Sequence, residues 1–209
     1  MSTHHELLTI YDQDLNEIGV APRSEVHTRG LLHQVVHCWL LGRTEAEDWL
    51  YLQQRSSRTS FSGWYDIAAA GHVNVGESKD QAVVRETQEE LGIIIDPEKL
   101  KYIGPFRESF KFGSYWDNEV CHVYLYPLGE GQFQLGDEVE RMVKVSIQDF
   151  ARYVDQKSTE IRALLVGEDV SISVSTSEVI PHSWEYYAFA LSHLPERQVR
   201  GPGRPPGVR

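Results

Sequence analysis

The chain has 209 residues, 41% of them hydrophobic, enough for one sizeable domain with a true core and too few for a second full one. Its 20 basic and 31 acidic side chains leave a formal charge of -11, which excludes sequence-independent nucleic-acid binding, because that needs Lys and Arg to displace phosphate counterions. No apolar segment approaches the roughly 18 to 20 residues of a membrane span, and the start MSTHHELLTI lacks a basic region followed by an apolar stretch, so the expectation is a cytoplasmic protein with neither membrane nor nucleic acid as partner.

In chain order, Leu7 to Tyr11 reads as a short edge strand and DQDLNEIGVAPRSEV as a covering loop, together an N-terminal unit over 1–28. His33 to Leu41 and Trp49 to Arg55 are apolar runs around the charged stretch RTEAED, which predicts a hairpin with a solvated tip. Cys38 and Cys121 lie inside such runs, VVHCWLL and EVCHVYLY, and read as reduced core thiols. A Ser-rich loop covers Ser56 to Gly63, and Ser78 to Leu91 carries helical pattern between a capping-box pair, Ser78 and Gln81, and a terminal Gly92. Val120 to Pro127 and Met142 to Val145 read as further strands. A second helix is expected over Ile147 to Leu165 and a third over Ser183 to Leu194. The main domain should then span 29–168, with a helical extension over 169–195 and a disordered basic tail over 196–209. Interspersed strands and helices predict a mixed α/β or α+β sandwich.

The informative stretch is GHVNVGESKDQAVVRETQEELGI, Gly71 to Ile93, a glycine loop running into the capped helix. Glu86, Glu89 and Glu90 stand at i, i+3 and i+4 and share one face, beside a less polar stripe of Val83, Thr87 and Leu91. Like charges at that spacing repel by a few tenths of a kcal/mol per pair. A hard divalent cation would relieve that, since magnesium binds through a few carboxylates plus substrate phosphates. Glu77 precedes the helix, and Arg85 is placed to orient Glu77 or Glu86 through a bidentate pair. Taken alone, three acids in five helical residues are more often a solvated face.

The full spacing resembles the Nudix signature G-x5-E-x7-R-E-U-x-E-E-x-G-U at every fixed position: Gly71, Glu77, Arg85, Glu86, Glu89, Glu90 and Gly92. Thr87 departs from the bulky aliphatic slot. The resemblance implies an α/β/α sandwich with a mixed central sheet, in which Glu86, Glu89 and Glu90 bind magnesium or manganese and present it to a phosphoanhydride. Metal ions would neutralise the phosphate oxygens and make the attacking water more acidic, with no covalent enzyme intermediate.

Outside the box, EVHTRGLLHQVVHCWLL, LQQRSSRTSFSGWYDIAAAGHV and DNEVCHVYLY resemble the isopentenyl-diphosphate isomerase branch of the superfamily, over roughly Glu25 to Val145. That branch places a second metal among histidines and acids, which implies His33, His72, Asp117 and Glu119 here, with His27 shifted from its counterpart. The matching isomerase glutamate moves a proton, so Glu119 is a candidate ligand or base. The isomerase also needs a cysteine just before the first box glycine, where this chain has Ala70, and a methyl group moves no proton. Arg55 and Arg58 lie in the loop where isomerases hold phosphates, and a guanidinium fork suits a diphosphate. Phe61, Trp64, Tyr65 and Trp116 either pack the core or cover a base or prenyl chain; Glu138 and Glu140 offer an acid beyond the box.

The sequence therefore reads as a hydrolase of nucleoside diphosphate-X molecules. The alternatives are a prenyl-diphosphate hydrolase or isomerase and a non-catalytic nucleotide sensor. A small-molecule diphosphate is the expected partner, and a homodimer stays open.

Overall fold

The computed structural model describes residues 6–195, so the expected disordered tail lies outside the described residues. Strand β3 (His33–Arg43) organises the molecule. Its odd side chains Val35, Trp39 and Leu41 enter one apolar cluster and its even side chains Val36, Cys38 and Leu40 another, as the two-residue period of a strand buried on both faces requires. On one side it runs parallel to β8 (Tyr115–Pro127), in a register that sets His33 beside Glu119 and Leu41 beside Pro127. On the other it makes the expected hairpin with β4 (Asp48–Arg55).

Among the described residues the main sheet has nine strands, with β7 (Lys101–Phe112) antiparallel to β8 at one edge. Beyond β4 come β9 (Val139–Ser146), β10 (Glu160–Leu165) and β11 (Ser171–Ser175), while the short β5 (Tyr65–Ile67) and β6 (Ala69–His72) pair with β4 and β3. A separate two-stranded sheet joins β1 (Leu7–Tyr11) to β2 (Glu17–Pro22), and α1 (Arg23–Arg29) follows it.

Helix α2 (Lys79–Leu91) is the box helix. Ser78 and Gln81 exchange side-chain and backbone bonds as a capping box, and Gly92 closes the helix in the left-handed conformation, where glycine pays no Cβ penalty. It packs Ala82, Val83 and Leu91 on the even face of β3. Helices α3 (Ile147–Val154) and α4 (Trp184–Ser192) cover the opposite face through Phe150, Tyr153, Tyr186 and Tyr187. The layers are thus helix, mixed sheet, helix, as expected. No helix of the described residues is long and apolar enough to cross a membrane.

Two expectations are corrected. The helix expected over Ile147 to Leu165 stops at Val154, and Glu160–Leu165 pairs with β9 and β11 instead, burying Ile161 and Ala163 at strand spacing. The covering loop after Tyr11 is in fact β2 and α1, because Asp12 closes a tight turn that lets the chain fold back on β1.

Candidate active site

The parallel register of β3 and β8 and the return of β6 along β3 bring three strand ends together, and α2 lies across them. A cavity of about 380 Å³ opens there, within the size range of small-molecule sites. It is lined by the box acids Glu86, Glu89 and Glu90 together with Arg55, His72, Asp117, Glu119 and Glu138.

The box side chains hold one another in place. Arg85 donates from Nε and Nη2 to the two Glu77 oxygens at 2.8 Å and from Nη1 to Glu86 at 2.7 Å and Glu89 at 3.2 Å. Glu90, only 7% exposed, accepts through Oε2 from the Ala70 backbone at 3.1 Å and from Gln53 at 3.3 Å. Gly71 passes so close that a Cβ there would stand 2.1 Å from the Glu86 carboxyl, so glycine is what admits that side chain. Thr87, in the slot expected to be bulky and aliphatic, is fully buried and satisfies its hydroxyl on the Val83 carbonyl at 2.6 Å.

Burial, opposed by Arg85, pushes Glu86 up to about 7, and burial followed by the Glu86 charge drives Glu90 well above the carboxylate range. Two desolvated carboxylates side by side are unfavourable without a cation between them. Their oxygens match a hard divalent cation, so this donor set fits magnesium or manganese.

A second cluster adjoins the first. His27 Nε2 lies 3.1 Å from His72 Nε2, and His27 Nδ1 and His33 Nε2 lie 3.4 and 3.6 Å from Asp117 Oδ1. His27 Nδ1, His33 Nε2 and Asp117 Oδ1 are buried with no hydrogen-bond partner among the described residues. Burial and the neighbouring His72 pull His33 down to about 3, which leaves its nitrogen a neutral donor of electrons. Glu6 accepts from His72 Nδ1 at 3.2 Å and fixes that ring. Ligand atoms of His27, His33 and His72 lie within 4.8 Å of one another, as do those of His33, Asp117 and Glu119, so this set also fits a cation. His27, shifted in sequence, comes back into the cluster because α1 rests on β8.

Glu119 is buried beside Cys121, whose thiol donates to it at 3.2 Å, and burial with the Asp117 charge pushes its carboxyl well up. Both cysteines are free and buried, as expected, and neither lines the cavity, so the methyl of Ala70 has no thiol substitute there. Arg55 lines the cavity, whereas Arg58 pairs with Asp137, is 66% exposed and lines a smaller neighbouring hollow. Phe61 and Tyr115 reach the cavity wall. Trp64 packs on Phe61 and Phe112, and Tyr65 is core. Trp116 lies on the surface at 37% exposure, and Glu140 is exposed away from the cavity.

Sequence reasoning missed Glu6, His37, Asp66, Glu108 and His182. His37 and Asp66 carried a signal, each being a polar residue inside a buried strand, and the others carried none.

A family model described as the NUDIX domain matches residues 31–165. An uncharacterized Nudix hydrolase of Clostridium acetobutylicum is 34% identical over 200 residues, 90% of this chain and 97% of that one. Isopentenyl-diphosphate Delta-isomerase 1 of Photorhabdus laumondii is 27% identical over 152 residues, 71% of this chain and 84% of that one. Among solved structures, a Deinococcus radiodurans protein superposes with a TM-score of 0.52 at 21% identity over 72% of this chain and 90% of that one, a likeness of fold alone.

Proposed function

The chain belongs to the Nudix hydrolase family, and from that premise we propose that it cleaves the diphosphate linkage of a nucleoside diphosphate-X type small molecule, with a divalent cation at the box carboxylates. The observation that carries this reading is the convergence of buried Glu86 and Glu90 on one cavity with Arg85 pinning Glu86 and Glu77.

Glu86, Glu89 and Glu90 would hold magnesium or manganese, and His33 and His72, with Asp117 and Glu119, would hold a second cation. When bound, such cations supply charge neutralisation at the phosphate oxygens and a more acidic water nucleophile. Arg85 orients the box acids. Arg55, bonded through Nε to the Ser60 carbonyl and through Nη1 to Asp66, has Nη2 left to donate to the diphosphate. Glu119, which lines the cavity beside Asp117, is the candidate for proton removal from the attacking water if it is not held as a ligand of the second cation.

Two observations support a second reading. The histidine cluster and the isomerase relative fit a prenyl diphosphate as substrate. Isomerisation itself lacks its acid at Ala70.

The test is a panel of nucleotide sugars, dinucleoside polyphosphates, nucleoside triphosphates and prenyl diphosphates, followed by phosphorus NMR with magnesium and with chelator. Metal-dependent cleavage of a nucleoside diphosphate derivative supports the first reading. Cleavage of prenyl diphosphates alone supports the second, and tight binding without turnover leaves a sensor.

A further inference from the structure

Three arginines line the cavity, and Arg85 is engaged through all three of its nitrogens while Arg23 pairs through Nη1 with Glu6 in a part-buried bond. Arg85 donates to Glu77, Glu86, Glu89 and the His72 carbonyl, and Arg23 pairs with Glu6 at 2.9 Å. Arg55 differs. Its Nε donates to the Ser60 carbonyl at 2.8 Å and its Nη1 to Asp66 Oδ2 at 3.0 Å, while Nη2 makes no hydrogen bond among the described residues. Its side chain is 16% exposed, so the guanidinium is held at the wall with one nitrogen left for a ligand.

What holds Arg55 is itself held from the C-terminal segment. Asp66 Oδ1 accepts from its neighbour's backbone, Ile67 N–H, at 2.8 Å and from His182 Nε2 at 3.3 Å. His182 Nδ1 donates to Glu108 Oε2 at 2.6 Å, and Glu108 Oε1 accepts from Ser183 N–H at 2.7 Å and Ser183 Oγ at 2.8 Å. His182, Asp66 and Glu108 are all buried. The bonds therefore run without a gap from the N-cap of α4, through β7 and the segment entering α4, to β5 and the end of β4.

The charges explain why the chain matters for binding. Two buried carboxylates face two cations, Arg55 and His182. With His182 sharing Asp66, the guanidinium is only partly satisfied by that carboxylate. Without His182 the buried charge of Asp66 would fall on Arg55 alone, drawing its Nη2 away from the ligand and leaving the wall net negative toward an anion.

The geometry points to His182, which lies outside the matched residues 31–165, as a positioning residue that aims Arg55 at the substrate diphosphate through Asp66. This rests on the reading of Arg55 as a diphosphate ligand.

The test is a double-mutant cycle on the full chain, reading calorimetric binding of methylenediphosphonate, a diphosphate mimic with an uncleavable bridge, in magnesium. Arg55→Lys should weaken binding about tenfold, because an ammonium cannot stay anchored on Ser60 and Asp66 and still donate to the ligand. His182→Gln should weaken it by roughly three- to tenfold in the native background and hardly at all beside Arg55→Lys. The Arg55 Nε–H resonance in nitrogen-labelled protein should shift in His182→Gln, which a purely structural role would not require. Equal weakening in both backgrounds, or none in the native one, would overturn the positioning role. Unchanged binding in Arg55→Lys would instead remove Arg55 as the ligand, and the proposal with it. Should His182→Gln fail to fold, Glu108→Gln, which loosens His182 from the far side, is read in the same cycle with the same outcomes.

Discussion

His182 sits between two carboxylates with both ring nitrogens engaged, and this has a consequence for stability. Burial alone lowers an imidazole, but the hydrogen bonds and charges of Asp66 and Glu108 outweigh it and hold His182 at about 10, above its ordinary 6.5. A folded value raised above the unfolded one gives stability that is complete below about 6.5 and lost as pH climbs through about 10, at about 1.4 kcal/mol per pH unit between. The other groups against the ring are His37, Tyr186 and Tyr187, with centroids at 5.2, 4.9 and 5.6 Å, and Glu119, with a carboxyl oxygen within 4.8 Å of a ring nitrogen. Urea melts across that window should show the gap between wild type and His182→Gln shrinking as pH rises; a constant gap would contradict the buried imidazolium. At the box, Glu77→Gln loosens Arg85 without removing a proposed ligand. Outer partners of this kind cost roughly 10- to 100-fold in metal affinity or activity, which manganese titration and turnover would measure. Glu77, Arg85, Glu86, Glu89 and Glu90 were legible in the sequence because one helix and its entry loop place them by local periodicity. The linkage of Asp66, Glu108 and His182 was not, because these residues meet only after β5, β7 and the entry to α4 are assembled, and Asp66 alone carried a signal as a polar residue inside a buried strand.

Two glycines packed against the box helix, Gly71 in β6 and Gly136 in the loop before β9, separate fold from chemistry. A Cβ on Gly71 would meet the Glu86 carboxyl, a flexible group that can swing aside, so Gly71→Ala should fold almost normally yet lose most activity. A Cβ on Gly136 would stand 2.3 Å from the Glu89 carbonyl oxygen, which is backbone and cannot swing. The loop carrying Gly136 also caps α2, with Gln134 N–H on the Leu91 carbonyl at 2.9 Å and Gly136 N–H on that of Glu90 at 2.8 Å. Gly136→Ala should therefore cost about 1–3 kcal/mol, as overpacking does, and lower activity through the shifted helix end. Thermal melts beside turnover distinguish the two, and the reverse pattern would show the close approaches misread. Helix α2 was legible from Ser78, Gln81 and Gly92, whose capping is chemistry between near neighbours. The strand Glu160–Leu165 was not, because its alternation of Ile161 and Ala163 with polar residues is short and only pairing with β9 and β11 decides it.

For the whole molecule, the proposed cation sites among the acids that crowd one cavity carry a consequence for stability. A cation that binds the folded chain and not the unfolded one stabilises by about 2.7 kcal/mol at a hundred times its dissociation constant. Magnesium or manganese should thus raise the melting temperature in a concentration-dependent way, and Glu90→Gln should blunt the rise. Fold class was readable because the apolar runs and the box helix alternate along the chain, while substrate identity rests on a cavity assembled from β3, β4, β5, β8, α2 and the C-terminal segment. The most direct measurement is turnover of the diphosphate panel in oxygen-18 water with magnesium, wild type beside Glu90→Gln. One labelled oxygen in one phosphorus-bearing product, with turnover that vanishes under chelator and collapses in the variant, is the predicted result. Unlabelled products, or equal turnover in the variant, would contradict water attack directed by the box carboxylates.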